Sequence, residues 1–435
     1  MSILPQLMTA FYRSIRTALN SNPCVVKRRL KRSITLVCLL AIATSAVCRA
    51  EGSLSLYIDA DRTGTKASGL AIEKGIRTAL SEVDNRLGPH AVELKIRDHR
   101  GSSVRSRMHL DEYLKDDSAL AVFSGLHSPP LLSNLNFINK KQALVLDPWA
   151  AAGPITRPKT EENWIFRLSV DDTKAGKVIS NEAVLKEGFS KPYLLLEETG
   201  WGKSNLKTMT AALEALNIEP AGVHHFNWSL GENAARIALR KIVQSGADVI
   251  FLVANAPEGK TFVKAMLSLT PEERLPIRSH WGITGGDFPQ EITKQQRAQI
   301  DLSFIQTRFS FINHGKRPRA KKVLQLAQTL FPEEITKAED IKAPTGFIHS
   351  YDLTRILIAA VKQVKFTGDI VEDRKLVHHA LENLEEPVVG LIKTYNKPFQ
   401  KYSTETPDAH EALGEKDFVM GYYGNNDEII LRVAK

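Results

Sequence analysis

Short apolar runs alternate with amphipathic stretches along most of this 435-residue chain, and that alternation leaves few folds open. Residues 54–58 read as a strand, and 68–87 follow with Leu70, Ile72, Ile76, Leu80 and Val83 at a helical period. Residues 92–96 alternate as a strand does, and 104–114 return to helix. Residues 120–123 and 143–146 are unbroken apolar runs, the mark of strands covered on both faces, with a helix over 130–139 between them. The rhythm then restarts. Strands at 193–196, 223–226, 249–253 and 277–281 alternate with helices at 204–216, 232–244 and 259–269. Two successive series of βα units predict an α/β protein with two parallel-sheet lobes. Helices over 345–364 and 374–384 and a strand pair at 418–423 and 428–433 complete the pattern.

In open parallel sheets a ligand binds beyond the carboxyl ends of the strands. Here those ends run into Asp61-Arg62-Thr63-Gly64, Ser124-Gly125-Leu126-His127-Ser128, Asp147-Pro148-Trp149-Ala150-Ala151, Glu198-Thr199-Gly200-Trp201-Gly202, Asn255-Ala256-Pro257 and Gly282-Ile283-Thr284-Gly285-Gly286-Asp287. Glycine, hydroxyl groups and tryptophan together suit a small, partly polar ligand.

The formal net charge of +9 suggests nucleic acid until it is located. Eight of the 58 basic residues and no acidic residue precede position 51, so the remainder carries 50 basic against 49 acidic residues. A nearly neutral body has no broad footprint for nucleic acid. Cys24, Cys38 and Cys48 also precede position 51, which excludes a disulfide framework, a cysteine nucleophile or a cysteine metal site downstream. Residues 1–50 read as an export signal: Lys27-Arg28-Arg29-Leu30-Lys31-Arg32 is a positive region, 34–47 an apolar run, and Cys48-Arg49-Ala50 a cleavage site of the small-residue type. The run is shorter than the ~20 residues of a membrane-spanning helix. The expected location of the mature chain is the periplasm.

Signatures of catalysis are missing. Gly202-Lys203-Ser204 has the end of a phosphate-binding loop, but Glu197 stands where its first glycine belongs. No G-x-S-x-G elbow occurs. His224-His225 and His378-His379 are adjacent pairs, which face different ways and do not make an i, i+4 zinc pair, and His410-Glu411 lacks the second histidine of H-E-x-x-H. The basic cluster over 316–322 reads as a solvated helix start.

In order and spacing the chain from 54 onward resembles the type I periplasmic binding proteins, the group of the leucine/isoleucine/valine-binding protein and other solute receptors of ABC transporters. The carriers are Ser68-Gly69-Leu70 with the helix after it, Asp98-His99-Arg100-Gly101, Phe123-Ser124-Gly125 with Ser128, Leu146-Asp147-Pro148, Phe166-Arg167-Leu168 with Gly176 beyond, Gly200-Trp201-Gly202, and Ala247-Asp248-Val249-Ile250. The resemblance implies two Rossmann-like lobes, 52–168 with 308–388 and 169–307 with 389–435, joined by a three-crossing hinge. It implies capture of a small polar solute (an amino acid, amide or small organic acid) and delivery to an ABC permease in the inner membrane, by a monomer without cofactor. Sensing through a membrane receptor is the alternative, and an exported enzyme on the same scaffold a second.

Carried over residue by residue, the resemblance places Ser128 on a ligand carboxylate, and Trp149, Ala150 and Ala151 along the head group. Ser68 stands where the family often has an aromatic, and Trp201 covers the ligand from the second lobe beside Asn255. Thr284 falls near the acidic position that meets an ammonium. Ala151 and Thr284 replace the family's threonine and acid, so Asp287 or Glu198 has to meet an ammonium, or the ligand carries none.

Overall fold

The computed structural model describes residues 52–432, so the leader reading lies outside the described residues. The first sheet holds β1 (Leu54–Ala60), β2 (Arg86–Leu87), β3 (His90–Asp98), β4 (Ala119–Ser124), β5 (Val145–Asp147) and β6 (Ile165–Arg167) in the order β2-β3-β1-β4-β5-β6. Apart from the antiparallel β2–β3 pair it is parallel, with Ile58 beside Ile96 on one side and Phe123 on the other. Every residue of β1 and β4 is buried, as the unbroken apolar run of β4 requires.

The second sheet holds β7 (Pro192–Glu197), β8 (Gly222–Phe226), β9 (Val249–Val253), β10 (Ile277–Ser279) and β11 (Leu302–Thr307). A two-stranded sheet of β12 (Val388–Val389) and β13 (Thr394–Tyr395) intervenes before β14 (Phe418–Tyr423) and β15 (Ile429–Leu431) return to the second sheet. The order is β15-β14-β11-β10-β9-β7-β8, parallel from β8 to β11, with β14 and β15 antiparallel at one edge. The long helices are α1 (Lys66–Ser81), α2 (Ser103–Lys115), α3 (Ser128–Lys140), α4 (Asp172–Asn181), α5 (Gly200–Glu214), α6 (Glu232–Gln244), α7 (Ala256–Leu267), α8 (Pro318–Leu330), α9 (Pro344–Lys362) and α10 (Ile370–Glu382). Among the described residues no helix is long and apolar enough to cross a membrane.

Local chemistry decides where the elements end and how near they come. The expected helix over 68–87 stops at Ser81, because Asp84 and Asn85 take left-handed backbone angles and turn Arg86 and Leu87 into β2. Helices α1 and α9 pack tightly because Gly75 has no side chain: a Cβ there would collide with Ser350 Oγ and the Phe347 carbonyl. Gly202 performs the same service at the start of α5, whose backbone comes against the Glu197 carbonyl.

Residues 398–413 form a strap along β6, joined to it by the bridge between Arg167 and Glu411. The ring of His410 stacks on Phe166 with centroids 3.9 Å apart. Arg167 is fully buried. Its Nε donates to both Glu411 oxygens at 3.0 and 3.1 Å, Nη1 to the carbonyls of Ala150 and Ala152 at 3.2 and 2.9 Å, and Nη2 to Thr156 Oγ1 at 3.1 Å. At the rim, Arg157 bridges Asp171 and the exposed Asp408.

Glu411 and Asp408 of the strap therefore differ in weight. Glu411→Gln leaves a buried guanidinium without its partner, and we expect a loss of about 3 kcal/mol in guanidinium chloride unfolding at neutral pH. Asp408→Asn, at the solvent edge, is expected to cost less than about 1 kcal/mol. Equal effects would contradict this account of the cluster.

Candidate functional site

The carboxyl ends of the two sheets face each other across a narrow cavity of about 250 Å³, counting the part open to solvent. It is lined by Leu126, His127, Ser128, Pro129, Trp149, Ala150, Ala151, Glu197, Trp201, Asn255 and Trp281. Its clear width admits little more than one water-sized sphere, because three indoles project into it.

Each wall follows from the turn that carries it. Asp147, at the end of β5, accepts the amides of Trp149 and Ala150 at 3.0 and 2.8 Å and folds that turn inward. Burial pushes the Asp147 carboxyl well above its ordinary range, against the pull of Arg167. Ser128 opens α3 and accepts the Ala152 amide at 3.2 Å. Trp201 enters from the first turn of α5, where Thr199 caps the amides of Trp201 and Gly202. The indole donates to buried Asp172 at 3.1 Å. These contacts dispose of the phosphate-loop fragment: its amides are capped by Thr199, and Ser204 Oγ accepts from Gly153 N at 3.1 Å.

Six of the sequence-derived site residues, Ser128, Trp149, Ala150, Ala151, Trp201 and Asn255, come together in this cavity. Three do not. Ser68 is buried, and its Oγ accepts the Gly286 amide at 3.3 Å, tying the first helix to the loop after β10. Thr284 donates to the Trp281 carbonyl at 2.7 Å and lines a different crevice, shared with Phe311, Lys342 and Tyr423. Asp287 is exposed and lines neither space. Glu198 is also turned outward, toward Lys203 and His225. Loop order alone groups Thr284 and Asp287 with the site; the short helical turn at Trp281–Thr284 carries them past it and puts Trp281 in their place.

Besides Trp281, sequence reasoning missed two polar residues of the site, Glu197 and His127. Glu197, the last residue of β7, is fully buried. It accepts from Thr199 Oγ1 at 2.7 Å and from Trp228 Nε1 and Asn255 Nδ2, each at 3.1 Å. Burial pushes its carboxyl up to about 7, and the Thr199 and Trp228 bonds offset only part of that. His127, from the first sheet's loop, places Nε2 3.0 Å from Asp61 Oδ2. Burial alone would raise Asp61, but the His127 bond and the amides of Gly64 and Thr63 outweigh it and hold the carboxyl below its usual range. With its Nε2 proton on that carboxylate, His127 keeps a buried Nδ1 without a hydrogen-bond partner. Trp228, from the loop after β8, lies against His127 with ring centroids 5.5 Å apart and covers Gly101. One carboxyl, one imidazole acceptor, the Ser128 hydroxyl and indole walls can hold a small organic molecule through a few hydrogen bonds. No nucleophile–base pair faces a common point among them.

A carboxyl raised by burial adds stability in its protonated form. That contribution is complete below the ordinary range near 4.5 and fades as pH rises through about 7. We expect Glu197→Gln to flatten the fall in melting temperature between pH 5.5 and 8, removing at most about 3 kcal/mol of pH dependence. An unaltered profile would mean that Glu197 titrates in its ordinary range.

Comparison with known proteins agrees with the architecture. Residues 57–269 match the family profile described as periplasmic binding protein. Among curated protein sequences none matches the chain. Similar solved structures include a type 1 periplasmic binding protein from Bordetella pertussis Tohama I, 13% identical, covering 87% of this chain and 99% of that one with a TM-score of 0.73. An ABC-transporter solute-binding protein from R. palustris in complex with benzoate is 14% identical and covers 88% of this chain and 96% of that one, with a TM-score of 0.69. The leucine-binding protein LivK from Thermotoga maritima is 16% identical and covers 87% and 98%, with a TM-score of 0.68. Residues 57–269 of this chain carry the sequence of a periplasmic binding protein, and the fold of the described residues is that of the type I periplasmic binding proteins.

Proposed function

We propose that this chain is an exported solute-binding protein that closes two lobes on a small organic ligand and presents it to an ABC importer. The supporting observation is that the cavity is shared. Ser128 and Trp149 come from the strand ends of the first sheet, and Glu197, Trp201, Asn255 and Trp281 from those of the second. Contacts such as Ser68–Gly286, Gly153–Ser204 and Trp228 on His127 join the same two halves, so separating them would open the site. On this reading the lobes are 52–168 with 308–388 and 169–307 with 389–435, the strap at 398–413 crossing back onto the first, the protein works in the periplasm as a monomer, and it captures without catalysing.

The ligand class follows from what the cavity lacks. Asp287 and Glu198 face away, leaving Glu197 as the acidic group at hand, and that carboxyl is already engaged by Thr199, Trp228 and Asn255. An α-ammonium has no free counter-charge there, whereas a flat acid or amide can lie between indoles and accept from the Ser128 hydroxyl, and an amide N–H can also donate to His127 Nδ1. Bound ligands among structures of this fold include benzoate and isoleucine, and the walls of this site favour the first kind.

A ligand at a hundred times its Kd adds about 2.7 kcal/mol to the native state, enough to read as a thermal shift. We expect a screen of aromatic acids, amides and amino acids to yield a stabilising compound from the first two groups, and Trp201→Ala to weaken it at least tenfold. An amino acid as the sole hit would overturn the ligand class. Full affinity in Trp201→Ala would overturn the site.

A further inference from the structure

On the side of the first sheet, away from the cavity, three side chains from distant parts of the chain meet: His378 and Glu382 from the end of α10, and His410 from the strap. His378 and Glu382 are one helical turn apart and share a face. The floor beneath them is β6 with the residue before it. His410 stacks on Phe166, and His378 stacks on Trp164 with centroids 4.2 Å apart. Both imidazoles are more than nine-tenths buried.

The hydrogen bonds fix the protons. His410 Nδ1 lies 3.0 Å from the Ile165 carbonyl, and His378 Nε2 lies 2.9 Å from the Asn163 carbonyl. A carbonyl only accepts, so each of these nitrogens carries its ring's proton. The other nitrogen of each neutral ring is left with a lone pair. For His410 that nitrogen, Nε2, points at Glu382 Oε1 from 3.1 Å, where an acceptor faces an acceptor. Either a second proton or a cation has to stand between them. Glu382 Oε1 is oriented in turn by the Tyr402 amide at 3.2 Å.

The geometry points to a divalent metal site at His378, Glu382 and His410. One donor atom from each of the three lies within 4.8 Å of the other two. Each histidine anchors its remote N–H on a backbone carbonyl, the outer arrangement that orients metal-ligating imidazoles. Two neutral imidazoles and one carboxylate suit Zn²⁺ with a position left for water. A metal there would clamp α10 and β6 to the strap, the segment that delivers Glu411 to Arg167. The proposal stands apart from the ligand cavity and does not depend on it.

The test uses the full chain, with Cys24, Cys38 and Cys48 alkylated to remove competing thiols, and Zn²⁺ alone as the probe. Elemental analysis after gel filtration is expected to find one Zn²⁺ per chain. Competition with a chromophoric chelator is expected to show at least a tenfold loss of affinity in Glu382→Gln and in His378→Gln. Replacing His224 and His225 together by Ala should change neither result. Co²⁺ titration of the unmutated chain gives a readout that needs no variant: a visible band saturating at one equivalent, without thiolate charge transfer. No saturable Co²⁺ band, or Zn²⁺ affinity unchanged by Glu382→Gln, would overturn the site and leave an imidazolium–carboxylate pair in its place.

Discussion

A guanidinium with no access to water sits at the join of this fold. Arg167 ends β6, the last strand of the first sheet, and the chain crosses to α4 directly after it. A charge in that position is costly unless each of its donors is matched. Glu411, Thr156 and the carbonyls of Ala150 and Ala152 match them. The consequence reaches the site, because the turn held by those carbonyls carries the Ala150–Ala151 wall. The crossing, the strap and one side of the cavity are thus a single electrostatic unit, and the strap is kept in place by a charge rather than by a strand ladder of its own.

The cavity follows a different logic. Its tryptophans fill space that a ligand needs, and they keep their packing through ordinary contacts: Trp201 on Asp172, Trp149 beside Trp281, Trp228 over His127. Glu197 shares the same narrow space with its carboxyl raised toward 7. Polar groups held at that cost inside an apolar slot are a mark of recognition rather than of stability, since an apolar side chain would fill the slot more cheaply. Within the proposed function, the indoles hold the ligand's place until the lobes part.

Much of the fold is legible in the sequence because it rests on burial. Strands β1, β4 and β9 are covered on both faces, so their apolar runs cannot be hidden by solvent-facing alternation. Strand β11 escapes that reading: Ser303, Gln306 and Thr307 are polar yet buried, with Gln306 and Thr307 bonded to Thr345 and His349 of α9. The strap escapes it too, since its place depends on contacts such as the Arg167–Glu411 pair, formed 244 positions away in sequence, and the His410 stack on Phe166. For the site, the rule that ligands gather at strand ends finds Trp149, Trp201 and their neighbours. It fails for Ser68, Thr284 and Asp287, whose loops reach the right end of a sheet but whose side chains turn to other partners. Glu197 reads in sequence as an obstacle to phosphate, because the burial that raises its pKa exists only once both sheets are in place.

The same distinction explains how a fold persists at identities of 13–16%. Strand cores require apolar volume at alternating or continuous positions, and many sequences supply it. Close approaches such as Gly75 on α9 admit one residue type and fix single positions only. The strand-end loops lie beyond the strand ladders and, on the proposed function, answer also to the ligand held between them. On the proposed function, the halves that would separate are joined by hydrogen bonds that include Ser68–Gly286 and Gly153–Ser204, each worth about 1 kcal/mol net. A ligand that replaces the tryptophan contacts with its own ring and two or three hydrogen bonds has enough free energy to decide between open and closed, and it can do so without any change in the strands behind it.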